Sequence, residues 1–324
     1  MANNIVTPYE VKTNREDLGD KIWNIAPDKT PVLDAIGKTT ATNSLHEWVH
    51  DTLPIASTTN AVTDGIDAVT QAQTAAARIG NYTQNLQKVF AVSDNQKTSD
   101  EAGMTELARL TYNNMKSIKL DMEATILERT AGTVGDDTGS NPRTMLGVAG
   151  FLTTNALCGA GGSVTAGART ASSFANPTIV AGTARPLTED LLIAAMQDAY
   201  TKGGTPSTFF VSPKGKVTVS SFNERVTKMQ NVADDSKTYH TAIDAYATDF
   251  GVITIVPNIV LAQVGSTNAY LIDTKQFALA EKKSVGLEQL ARTGTYDKYM
   301  INWEATLEVR AEEGSAIIRD LSGY

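Results

Sequence analysis

Residues 103–131 read GMTELARLTYNNMKSIKLDMEATILERTA, and the fold turns on this stretch. Met104, Leu107, Met115, Ile118, Met122 and Ile126 share one stripe at helical spacing, while Arg109, Lys116, Glu123 and Glu128 lie off it. Neither Pro nor an internal Gly interrupts the pattern, so one helix is predicted over 103–131. At 1.5 Å per residue it would reach about 40 Å, more than the width of a small domain. Such a helix is a spine for an elongated body.

Upstream, Leu45 to Leu53 alternates weakly and Tyr82 to Val92 more clearly, with Tyr82, Gln84, Leu86, Lys88, Phe90 and Val92 on one face. The residues between, 54–81, are Thr, Ala, Gln and Asn with almost no large apolar side chain, too little to offset ordering entropy by burial. Two strands joined by a polar tongue are predicted, a long hairpin projecting from the body. Residues 1–43 read as an extended arm. Pro8, Pro27 and Pro31 interrupt it, leaving only a short helix at Arg15 to Ile25 with Asn14 as its cap.

Downstream, the Gly-rich loops Gly132–Pro142 and Gly159–Gly167 flank Met145–Leu152 and mark a boundary. A mixed α/β unit starts near Pro186. Leu191, Leu192, Ala195, Met196 and Ala199 form a helix stopped at Gly203-Gly204. A strand at Thr208–Ser212, a helix opened by Pro213, and strands at Ala242–Ala247, Val252–Val256 and Ala269–Ile272 follow. The tail is strand-like: Phe277–Glu281, Val285–Leu290, and Tyr299–Arg310 with Ile301, Trp303, Ala305, Leu307 and Val309 on one face. These last strands are expected to return onto the spine helix and close a discontinuous domain.

The 324 residues are 41% apolar and 20% charged, enough for a real core. The net charge of −8 comes without a basic stripe, which argues against direct nucleic-acid binding, since that affinity rests on Lys and Arg neutralising phosphates. A lone cysteine, Cys158, excludes an internal disulfide framework. No apolar run approaches the ~18 residues of a membrane span, and Met1-Ala2-Asn3-Asn4 begins nothing like a signal peptide. A soluble, cytoplasmic product is expected.

One motif looks catalytic. His46-Glu47-Trp48-Val49-His50 spells H-E-x-x-H, which on a helix places two imidazoles on one face as zinc ligands and leaves Glu47 to activate water. Against it, no third histidine follows at the required spacing, His240 is the only other one, and no Glu occurs between Glu47 and Glu101. Pro54 cuts a helix short. If the segment is a strand, the two imidazoles stand about 13 Å apart, too far to share a metal. Asp136 and Asp137 read as a solvated turn in preference to a cation site, and Lys88 as a strand lysine on the hairpin's returning strand, with a cross-link or ion pair to a neighbour as the other option. No catalytic, cofactor or metal residue is therefore assigned, and no cofactor is expected.

The order of parts resembles the HK97-type capsid fold of tailed-bacteriophage major capsid proteins. The likeness is carried locally by Asp17-Leu18-Gly19-Asp20, by Thr30-Pro31-Val32-Leu33-Asp34-Ala35-Ile36-Gly37, by Glu47-Trp48 with Asp51, and by Glu312-Gly314-Ser315-Ala316-Ile317. The resemblance implies an α+β chain. Its parts would be an N-terminal arm (1–43), an extended β-hairpin or E-loop (44–95), a peripheral P-domain (96–185) holding the spine helix, an inserted α/β axial A-domain (186–272), and peripheral return strands (273–324). It implies a protein that is no enzyme and self-assembles into the pentamers and hexamers of an icosahedral head, enclosing double-stranded DNA without specific recognition and touching no membrane. Portal, separate scaffolding and decoration proteins are the further partners implied, with assembly in the host cytoplasm. The rivals are an encapsulin-like compartment shell, a zinc hydrolase at His46 and His50, and a surface-layer or tail-tube protein.

Overall fold

The computed structural model describes residues 27–54, 56–65, 67, 75–99, 104–136, 138–170, 173–222 and 244–324. The helix expected at 15–25, Asp17 to Asp20, Asp137 and His240 lie outside them. In chain order the helices are α1 (Pro31–Ala35), α2 (Asp94–Thr98), α3 (Glu106–Glu128), α4 (Val148–Phe151), α5 (Glu189–Thr201), α6 (Pro213–Ser220) and α7 (Ile259–Gln263). The strands begin with β1 (Gly37–Thr40), β2 (Leu45–His50), β3 (Ala77–Tyr82), β4 (Gln84–Ser93) and β5 (Ala156–Leu157). Four short ones follow: β6 (Ser163–Thr165), β7 (Arg169–Thr170), β8 (Ser173–Phe174) and β9 (Thr178–Val180). The remainder are β10 (Thr208–Val211), β11 (Ala245–Thr248), β12 (Gly251–Pro257), β13 (Ala269–Ile272), β14 (Phe277–Gln289), β15 (Tyr296–Val309) and β16 (Ala316–Ile318).

The spine is α3. Ile118, Met122, Ile126 and Leu127 are fully buried in its C-terminal half and Met115 packs partly buried on the same core, whereas Met104 stands outside the helix and is 52% exposed. The helix packs on a four-stranded sheet ordered β1-β14-β15-β4. β15 is long because period two persists along it. Ile301, Trp303, Ala305, Leu307 and Val309 all point into the core shared with α3. The predicted break between Glu281 and Val285 is a bulge within one continuous strand.

A six-stranded sheet, β11-β12-β10-β13-β16-β5, stands beside the first. Alternation splits its residues between two cores. Phe209, Val211, Ile253 and Ile255 pack with Leu192, Ala195 and Met196 of α5, and Phe210, Tyr270, Ile272 and Ile317 join Ile118 and Met122 of the spine. The sheet therefore also recruits β5 and β16, from outside the span 186–272 read as an inserted unit.

Two expectations change. Residues 31–41, read as part of a free arm, are built into the body: Val32, Ile36 and Ala41 are buried, and β1 pairs in parallel with β14 from Gly37↔Ala278 to Thr40↔Glu281. The hairpin's returning strand is β3, ending at Tyr82, because β2 pairs with Ala77–Tyr82 in register Leu45↔Tyr82 to His50↔Ala77. Residues 84–93 instead form β4, an edge strand paired with β15. Lys88 thus lies in the main sheet, where its ammonium meets Asp121 of the spine at 2.6 Å.

Candidate functional site

β2 and β3 form a two-stranded ribbon lying across the outer face of β15. That face alternates with the core-facing row, and period two alone would send its polar residues to water. Instead several have partners on the ribbon or on Thr83 just beyond it. Glu304 accepts from Thr83 Oγ1 at 2.7 Å, Thr306 donates to the Tyr82 carbonyl at 2.9 Å, Glu308 meets His46 Nε2 at 3.1 Å, and the Arg310 carbonyl meets His50 Nδ1 at 2.9 Å. Glu304 is also held by Arg143 at 2.7 Å and Lys282 at 3.1 Å. Burial pushes the carboxyls of Glu304 and Glu308 up, but hydrogen bonds and neighbouring cations outweigh it, and both titrate below the usual carboxylate range.

The root is fixed a second time by Asn81, which is fully buried. Its amide donates to the carbonyls of Leu146 and Leu307 and its oxygen accepts from Leu146 N–H, each at 2.9 Å. Backbone that belongs to no ladder there is satisfied by this one side chain. Trp48 closes the inner face, its ring centroid 6.1 Å from that of Phe151.

Beyond the root the ribbon has no such support. Residues 51–54, 56–65, 67 and 75–76 are all exposed, including Leu53 at 94% and Val62 at 85%. The tongue holds Asp51, Asp64 and Asp67 and no Lys or Arg between His50 and Arg78.

The H-E-x-x-H residues lie on β2, so His46 and His50 share a face but sit four strand residues apart, about 13 Å. They bind separate groups, Glu308 and the Arg310 carbonyl with Glu313, and no three His, Cys, Asp or Glu converge on a common metal position among the described residues. Asp136 is occupied by its own turn, accepting from Thr138, Asn141 N–H and the Asn141 amide. Burial pushes the Cys158 thiol up, away from thiolate chemistry.

One buried centre escaped the sequence reading. Glu123, read as lying off the apolar stripe, is fully buried. It accepts from Val32 N–H at 2.9 Å, Leu33 N–H at 2.8 Å and the Asn258 amide at 2.7 Å. Thr30 makes no side-chain cap and Pro31 lacks an N–H, so α1 receives its cap from the spine helix, 91 residues away. The uncapped Thr-Pro start was the available signal. Burial pushes the Glu123 carboxyl above its ordinary range, and the three donors only partly offset it.

The family model described as SU10 major capsid protein matches residues 3–322, almost the whole chain. The chain belongs to the SU10 major capsid protein family. A curated relative, the "Major capsid protein" of Escherichia phage Phieco32, is 23% identical over 356 residues, covering 100% of this chain and 99% of its own. Among solved structures, a chain from Gordonia phage Cozz aligns with a TM-score of 0.62 at 8% identity, covering 100% of this chain and 98% of its own. The holo-SrpI encapsulin complex of Synechococcus elongatus PCC 7942 aligns at 0.53 with 8% identity, covering 95% and 92%. At such identities the structural likeness is one of fold, a mixed α+β chain of HK97 type.

In this SU10-family chain, two of the sequence segments that carried the resemblance serve close contacts. Thr30 to Gly37 forms α1 and the entry to β1, with Pro31 at the first helical position. In the closing segment, Glu312 accepts from the N–H and hydroxyl groups of Thr153 and Thr154, and Ser315 Oγ accepts from Asp273 N–H.

Proposed function

We propose that the chain tiles an icosahedral phage head as pentamers and hexamers around double-stranded DNA, with no catalytic activity of its own. Membership of a major capsid protein family along residues 3–322 carries this reading. It explains the economy of the fold: the root of the ribbon is tied to the body through Asn81, Thr83, His46 and His50, while the tongue is left exposed. In this assignment the E-loop is the ribbon and tongue of residues 44–83, shorter than the 44–95 read from sequence. The spine helix, β4, β14 and β15 make the P-domain. The α/β layer built on residues 186–272 is the A-domain, and the residues ahead of Pro27 are the N-terminal arm. The acidic net charge suits a wall that encloses nucleic acid without gripping it. Portal, scaffolding and decoration proteins are the expected companions, with assembly in the host cytoplasm.

An encapsulin-like shell shares the fold, as the SrpI likeness requires, but the chain-long match to a phage capsid family favours the virus. Expression of the chain followed by gradient sedimentation and negative-stain microscopy tests the proposal. Capsomers or closed shells are expected. A monomer carrying stoichiometric zinc would overturn it.

A further inference from the structure

The two histidines of the H-E-x-x-H motif meet the body where the tongue begins. His50 is the last residue of β2, and its Nδ1 lies 2.9 Å from the Arg310 carbonyl oxygen. A carbonyl oxygen only accepts, so Nδ1 carries the proton. A neutral imidazole has a single N–H, which leaves a lone pair on Nε2. That nitrogen is shielded from solvent, has no hydrogen-bond partner, and lies 3.5 Å from Glu313 Oε1. Neutral His50 would set a lone pair against a carboxylate. The imidazolium alone donates to the Arg310 carbonyl and faces Glu313 with an N–H.

We propose that His50 is a proton-binding clasp: its imidazolium bridges the ribbon root to the turn at Glu312–Gly314, and loss of the proton releases the root of the tongue. His46 adds a second contact on the same face through Glu308. The charged groups around the pair are Glu308 and Arg310 from the end of β15, Glu312 and Glu313 from the turn, Arg169 from β7, whose charge interacts with both turn carboxylates, and Asp51 next along the chain. Glu312 is committed to Thr153 and Thr154, and Glu308 is shared by Arg310 and His46, so Glu313 is left for His50. Histidine changes charge between about pH 5 and 8. The clasp is therefore closed while His50 holds both ring protons and opens when one is lost.

This proposal deepens the capsid reading only in its consequence, because a released root frees the tongue that would cover a neighbour. Its test does not need a shell. Amide hydrogen exchange of residues 45–50 and 77–82, corrected for the intrinsic pH dependence of exchange, is measured at pH 6 and pH 8. Wild type is expected to lose about tenfold protection at pH 8. In His50→Gln the pH response should vanish, and in Glu313→Gln protection should persist at pH 8, since the new amide donates to the neutral Nε2. Peptides from β14 and β15 report whether each variant is folded. A wild-type ribbon equally protected at both pH values, or a Glu313→Gln ribbon that responds like wild type, overturns the clasp. Sedimentation of the same samples reads assembly separately.

Discussion

Glu123, inside the spine, caps α1 and holds the Asn258 amide. Removing it strands two helical N–H groups and the Asn258 amide, at about 1–3 kcal/mol for each buried donor. Glu123→Ala is expected to destabilise the fold by on the order of 3 kcal/mol, read as a lowered urea midpoint at unchanged slope. Because burial raises its proton affinity in the folded chain above the ordinary value of 4.5, its contribution is fully present below that value and is lost as pH rises through the folded one. Glu123→Gln should therefore flatten the decline of stability with rising pH above about 4.5. Glu304 and Glu308 run the other way, stabilising at neutral pH and failing as pH falls below the usual carboxylate range. Helical periodicity could not reveal Glu123, since it counts apolar positions. The donors that call for a carboxylate are supplied by a segment 90 residues earlier.

At the scale of elements, period two was a dependable guide where a strand keeps one environment, as Ile301 to Val309 does. It misled at residues 82–92 because Thr83 alone separates β3 from β4, and the alternation passes through it without a turn residue. The chain changes sheets there with Thr83 fully buried against Glu304 and Arg143, contacts that no local pattern encodes. The closing Gly314 and the helix stop at Gly203-Gly204 were legible separately, yet their meeting was not. A Cβ on Gly204 would come within 2.2 Å of Gly314 Cα. Gly204→Ala is expected to cost about 1–3 kcal/mol by wedging the C-terminus of α5 off the Glu312–Gly314 turn, seen as a lowered thermal midpoint. An unchanged midpoint would show that the two backbones part freely.

For the whole molecule, the order of parts was readable from composition and period: a polar tongue, a spine helix, a mixed α/β layer and long return strands. In the proposed assembly the tongue serves an adjoining copy of the chain. Its described residues are exposed, its root is bonded to Glu304, Thr306 and Glu308 of β15, and it carries acid without base. Replacing residues 54–76 with a Gly-rich turn should leave the folded body intact by circular dichroism while abolishing closed shells in negative stain. Shells of normal size from that deletion would move the assembly contacts elsewhere.

The most direct measurement is a cryo-electron microscopy reconstruction of particles formed by the intact chain. The account predicts a closed shell in which residues 51–76 of each copy lie on an adjoining subunit, with Leu53 and Val62 covered there. A reconstruction in which the same residues fold back onto their own β15, touching no neighbour, would contradict it.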